Sequence, residues 1–263
     1  MRLRETAPWL AVLALGLACF FAWRWLSGAM FSRNPQYALR RVEIVPGYAK
    51  TEQEIRDITG LREGVNLFSF SASEVRERLL RTTPNIADVE VAKRLPDAVS
   101  LVVHDRVPAA KLCSPRLALD ADGFVFTILP RDAERYRSIP LIENGSEPWR
   151  PDAGRTLSGT PGTPTGVEAR VMRALRVATL CERVFGHDAA NPLRLRVLDV
   201  SNSTYLTMLT EDNRFVRLVW EEIPDDESIL QGLALADETL RDPAARGKKQ
   251  FDVILSAGKV FVG

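Results

Sequence analysis

The sequence predicts an α+β protein with one N-terminal transmembrane helix, a small α/β module and a C-terminal mixed β-domain with packed helices. Three observations predict it. An apolar stretch stands at the N-terminus, where Trp9 to Trp23 carries no charge. Two helix-start signatures follow between Leu39 and His104, flanked by strand-like runs. Beyond them, short β-branched runs broken by turn residues alternate with two amphipathic stretches. The composition agrees, since 263 residues that are 46% hydrophobic and 26% charged suit a chain that buries a core. Lys+Arg 35 against Asp+Glu 34 gives no field to draw the chain onto nucleic acid. Three cysteines cannot build a disulfide scaffold, and two histidines exclude a His-rich metal site.

Residues 1–8 read as a cytoplasmic tail and 9–31 as the span. Trp9 to Phe31 is long enough to cross a hydrocarbon core of about 30 Å. Arg24 lies toward the far end, where its head reaches the interface, and Trp9, Trp23 and Trp25 suit interfacial belts. Arg2 and Arg4 place the N-terminus inside and the remaining chain outside. A cleaved signal peptide ending at Ser27-Gly28-Ala29 is the rival reading, but its apolar region would be shorter. Gly16-Leu17-Ala18-Cys19 is an imperfect lipoprotein box, and Cys19 reads more simply as a membrane-buried small hydrophobe. Cys113 and Cys181 either pair outside the cytoplasm or stand as two isolated buried thiols.

Leu39 to Val45 reads as a strand ended by Pro46-Gly47. Thr51-Glu52-Gln53-Glu54 is a capping box opening a short helix that Gly60 closes. Ser71-Ala72-Ser73-Glu74 is a second, with Phe70 and Val75 at the staple positions and Val75, Leu79 and Leu80 facing inward. Pro84 ends that helix. Ile86 to Val91 and Ala98 to His104 are strands around an Arg94-Leu95-Pro96-Asp97 turn.

Leu117 to Asp120 and Phe124 to Phe126 form a hairpin around Asp122-Gly123, where the Asp-x-Asp-Gly run lacks the Gly and Glu of a calcium loop. Ile139 to Ile142 is a short strand, and residues 144–166 read as a long loop. Thr165-Gly166-Val167-Glu168 has a capping-box pattern. In the helix it opens, Val167, Val171, Ala174, Ala178, Cys181 and Phe185 face inward, and Arg170, Arg173, Arg176 and Arg183 form a solvated face. Leu193 to Val200, Tyr205 to Thr210 and Phe215 to Trp220 are strands. Asp225-Asp226-Glu227 starts another helix, with Ile229, Leu233, Ala236 and Leu240 on one face. Phe251 to Leu255 is a strand, and Lys259 to Val262 extends it after a turn.

Several of these motifs together resemble a known family. Pro46-Gly47, Gly64-Val65-Asn66-Leu67-Phe68 and Pro84-Asn85-Ile86-Ala87-Asp88-Val89-Glu90-Val91 resemble a POTRA domain. With Arg94-Leu95-Pro96-Asp97, His104-Asp105-Arg106-Val107-Pro108-Ala109-Ala110 and Leu119-Asp120-Ala121-Asp122-Gly123-Phe124-Val125-Phe126, they resemble the FtsQ/DivIB family of bacterial cell-division proteins. The match departs at Asp105, where the family usually has Glu, and at Leu95, where it often has an aromatic residue. The resemblance implies a POTRA domain over 37–105 and a C-terminal β-domain over 106–263 with a partner-binding edge strand.

No catalytic constellation stands out. Nucleophilic chemistry would need His104 or His187 as base. Glu221-Glu222 and Asp225-Asp226 read as helix capping, and Cys181 with His187 falls short of three zinc ligands. No enzyme, cofactor, metal or nucleic-acid partner is expected. The resemblance implies a non-enzymatic inner-membrane scaffold at the division septum. Its partners would be FtsB/FtsL-type (DivIC-type) coiled-coil proteins, other divisome members through the POTRA domain, and the lipid bilayer through 9–31. Strand addition to a sheet edge is the expected mode. The strand nearest the C-terminus is the candidate, with Phe251, Val253, Leu255, Val260 and Phe261 as partner-binding residues; the same positions also read as buried core. The alternative is a POTRA-containing envelope protein of another assembly or secretion pathway. An outer-membrane barrel is excluded, because about sixteen strands of about ten residues do not fit into 106–263. A secreted enzyme with a retained signal anchor would instead show hydrolase activity.

Overall fold

The computed structural model describes residues 34–114, 116–145, 149–157, 166–186, 188 and 191–263, together with 13, 15–21, 23, 25 and 31. The chain divides into two compact units, Met1–Asp105 and Arg106–Gly263. Most of the tail 1–8 and the stretch 9–31, Ser27-Gly28-Ala29 included, lies outside the described residues. Residues 13, 15–21, 23 and 25 are helical, and their large apolar side chains are exposed. Among the described residues no helix is long and apolar enough to cross a membrane.

The first unit is built on three strands, β1 (Arg41–Val45), β2 (Ile86–Arg94) and β3 (Ala98–Asp105), in the order β1-β3-β2. β1 runs parallel to β3 and β2 antiparallel to it. Two helices, α1 (Glu52–Thr59) and α2 (Ala72–Thr82), supply the crossover that parallel β1 and β3 require. Both capping boxes form. The Thr51 hydroxyl accepts the Glu54 amide while the Glu54 carboxylate accepts the Thr51 amide, and Ser71 and Glu74 close a second box. Lys50 and the Thr51 donors hold the Glu54 carboxyl down to about 2. Ile55, Leu79, Val75, Leu67, Val99 and Leu101 form the buried core beneath the helices. At the far end of β3, Asp105 accepts the amides of Tyr48 and Ala49. A Cβ on Gly47 would overlap that carboxylate, which is why the Pro46-Gly47 turn needs glycine.

Among the described residues, the strands and α-helices of the second unit are, in chain order, β4 (Ala110–Leu112), β5 (Leu117–Leu119), β6 (Val125–Thr127), β7 (Leu141–Glu143), α3 (Val167–Phe185), β8 (Leu195–Asp199), β9 (Tyr205–Thr210), β10 (Phe215–Val219), α4 (Asp226–Arg241), β11 (Gln250–Ile254) and β12 (Lys259–Val262). The strands form one sheet in the order β12-β11-β10-β9-β8-β7-β4-β5-β6. Three pairings are parallel, β4 with β7, β7 with β8 and β10 with β11. The last two are bridged by α3 and α4, as crossover geometry demands. The helices cover one face. Val171, Ala174 and Ala178 of α3 and Ile229, Leu233 and Ala236 of α4 pack with Ile142, Leu198, Met208, Leu218, Phe251 and Val253 of the sheet.

Three expectations change. The helix α3 is capped by Gly166, whose backbone alone serves, and Thr165 lies outside the described residues. The arginine face of α3 is not simply solvated. Arg170 Nε donates to the Val200 carbonyl at 2.7 Å, Arg173 lies over the Trp220 ring, and Arg176 grips Asp226 at the start of α4. Burial pulls the Arg173 pKa down accordingly. The predicted loop 144–166 also contains sheet-like pairing: Val125 N donates to Arg155 O, Gly154 N to Val125 O and Leu157 N to Gly123 O, at 2.8, 2.8 and 2.9 Å. That backbone covers the β6 edge. The Asp-x-Asp-Gly run is a turn in which Asp120 accepts the Asp122 and Phe124 amides and pairs with Arg106 at 2.6 Å.

Candidate partner-binding edge

The sheet ends on β12, so the outermost backbone belongs to Lys259–Val262 and not to β11. Gly258, at φ 58, makes the turn that reverses the chain after Leu255. The antiparallel register pairs Phe251 with Val262, Asp252 with Phe261, Val253 with Val260 and Ile254 with Lys259. Gly263 N donates to Gln250 O at 3.0 Å, which marks Gln250 and Gly263 as a hydrogen-bonded pair. Bonded and non-bonded pairs alternate. The amides and carbonyls of Lys259 and Phe261 therefore point at β11, and those of Val260 and Val262 point away from it.

The five candidate residues divide into core and surface. Phe251 and Val253 are 1% and 0% exposed and lie between the sheet and the helices. Leu255 and Val260 pack partly buried against the same core. A Cβ on Gly232 of α4 would overlap Leu255 Cδ2, so this glycine lets helix and strand approach. Phe261 is 56% exposed on the opposite face and Val262 43% exposed on the helix side. Beside Phe261 on that open face lie Asp252, Arg217 and Thr207, one from each successive strand. Arg217 Nε is 3.4 Å from Asp252 Oδ1, and its guanidinium lies over Tyr205. Sequence reasoning missed Val262, though Gly258 between two β-branched runs is an ordinary hairpin signal.

Elsewhere the chemistry is sparse. His104 sits on β3 with Nε2 3.1 Å from Glu90, and His187 lies outside the described residues. Cys113 and Cys181 are both free thiols. Cys181 donates to Leu193 O, and burial pushes its pKa up to about 12. It borders a cavity of about 750 Å³ beneath α3, whose charged lining includes Glu182, Arg183 and the paired Arg194 and Glu211. Among the described residues no three His, Cys, Asp or Glu side chains gather as metal ligands.

Residues 38–106 match the family model of the POTRA domain, FtsQ-type. The chain is similar to a cell division protein FtsQ of Geotalea daltonii, 30% identical over 152 residues, which are 57% of this chain and 51% of that protein. A cell division protein FtsQ of Streptomyces bingchenggensis is 26% identical over 145 residues, 54% of this chain and 53% of the relative. One of Myxococcus fulvus is 26% identical over 216 residues, 81% of this chain and 68% of the relative. The chain thus spans about half the length of the first two curated relatives it matches. An FtsQ-type POTRA domain at residues 38–106 and three FtsQ relatives thus support the resemblance of the chain to the FtsQ/DivIB family.

Proposed function

We propose that this chain is a non-enzymatic, single-span scaffold of the bacterial division machinery. Residues 9–31 anchor it in the inner membrane, the tail 1–8 is cytoplasmic, and both folded units lie outside. The POTRA domain engages other divisome members at the septum. The C-terminal β-domain binds FtsB/FtsL-type (DivIC-type) coiled-coil partners by strand addition, in support of septal peptidoglycan synthesis. The anchor is supported by helical residues that expose Leu13, Leu15, Phe20, Phe21, Trp23 and Trp25 by more than half, a surface that calls for lipid.

The observation that carries the partner reading is β12. It is the last strand of the sheet and turns the amides of Val260 and Val262 outward, the template that an added strand requires. The test follows from the alternation. Val260→Pro in the full chain removes an outward amide and spares the ladder to β11, as edge strands tolerate. The expected result is loss of co-purification with the coiled-coil partners, with thermal stability nearly unchanged. Retained partner binding with an intact fold sinks the edge reading. A proline at Val253 would be a poorer probe, since β11 is paired on both sides.

A further inference from the structure

We infer that the end of the POTRA sheet nearest Phe31 is itself a membrane-binding surface, seated in the headgroup layer of an anionic bilayer. The inference rests on the reading of 9–31 as a span and adds a second membrane contact to it. Phe31 ends the apolar stretch, and it is joined to the domain by side chains. Its ring lies 5.2 Å from that of Phe68 and 6.1 Å from that of Tyr37, and Tyr37 and Phe68 meet edge to face at 5.0 Å. Asn66 Nδ2 donates to the carbonyls of Phe31 and Asn34 at 3.0 and 3.2 Å. Leu67 N donates to Tyr37 O and Leu39 N to Val65 O, which fastens 37–39 along the 64–68 loop.

The same end carries the β2–β3 turn. The amides of Arg40 and Arg41 both donate to Asp97 O, and Lys93 Nζ donates to Leu67 O at 2.6 Å. Leu95 at the tip of that turn is 64% exposed, and Phe31 and Phe68 are each 41% exposed. Across 34–41, 61–70 and 93–98 the charges are Arg40, Arg41, Arg62, Lys93 and Arg94 against Glu63 and Asp97. Arg40, Arg41, Arg62 and Arg94 are exposed.

Dimensions and chemistry fit one occupant. The headgroup layer adds roughly 5–8 Å on each side of the hydrocarbon core. Rings within 6.1 Å of Phe31 therefore fall inside it if the core ends at Phe31. Aromatic rings ringed by arginines are the side chains that this layer prefers, and the excess of positive charge favours anionic lipid. The opposite end of β1, at Val45, is four residues on and about 13 Å away along the strand.

The test uses the full chain in vesicles of phosphatidylcholine and phosphatidylglycerol. An environment-sensitive fluorescent amino acid is encoded at Leu95, at Phe68 or at the exposed Val45, and quenching by lipid with a nitroxide on its headgroup is measured. Quenching several-fold stronger at Leu95 and Phe68 than at Val45 is expected. Combined Arg40→Glu and Arg94→Glu should lower the Leu95 quenching and leave carbonate resistance intact. Release of the unsubstituted chain by alkaline carbonate would overturn the span itself. A chain that resists carbonate, yet is quenched at Leu95 no more than at Val45, overturns the seat alone. Undiminished Leu95 quenching after the double charge reversal overturns the anionic-lipid assignment.

Discussion

The two ends of the nine-stranded sheet are treated differently. At one end, β6 is covered by the backbone of 154–157 through bonds from Val125, Gly154 and Leu157. At the other, β12 has β11 on one side and, among the described residues, no strand on the other. An uncovered edge is a hazard that folded proteins usually blunt. With Val260 and Val262 turned outward, β12 has the form of an edge to which a strand can be added, as proposed above.

The comparison can be broken first at β11 and β12. Phe251→Ala removes a ring that is 1% exposed and should cost about 4 kcal/mol. Phe261→Ala, on the open face, should stay within about 0.5 kcal/mol while weakening partner binding. Urea unfolding of both variants checks this, and equal losses would erase the distinction between core strand and edge strand. The covered end is tested through Arg106. Its pairing partner Asp120 has a side chain only 11% exposed, and Arg106 also lies over Phe124, which bridges to Thr156. Arg106→Ala leaves that carboxylate unpaired, at a cost of about 3 kcal/mol. Faster hydrogen exchange at Val125 and Leu157 should accompany the loss.

The smallest effect is one of pH, at the β9–β10 turn. Burial acts to raise the Asp212 pKa, but bonds from Arg214 and Thr210 outweigh it and hold the carboxyl below its ordinary value. A depressed carboxylate adds stability above its unfolded pKa of about 3.9 and loses it as pH falls through the folded value. Asp212→Asn should therefore lower stability slightly at neutral pH and flatten its dependence below about pH 4. An unchanged acid profile would show that the turn carries none of it.

What was legible in the sequence was local. The capping boxes at Thr51 and Ser71, the Asp120 turn and the inward faces of α3 and α4 depend on residues a few positions apart, and each formed. Pairings that depend on distant chain were not legible. Nothing near Arg155 announces that its carbonyl will meet Val125, and nothing in Arg170 or Arg176 names Val200 or Asp226 as partners. The same limit governs the candidate edge. Phe251 to Leu255 has the pattern of a strand, but its interior position follows from α4 returning β11 beside β10 and from Gly258 folding β12 over its other side. Phe251 and Val253 thus fall in the core, and the outer backbone passes to a shorter run that the pattern alone ranks lower.

The antiparallel alternation along β12 has a mechanical consequence. Bonds to a strand added antiparallel at its outer side would run perpendicular to β12, so such a partner pulled along the strand axis loads them together, in shear. Pulled away from the sheet, the same partner would peel off one bond at a time. A junction of this kind holds firmly along one line and lets go across it, so the direction of a tug could decide how long the joint lasts.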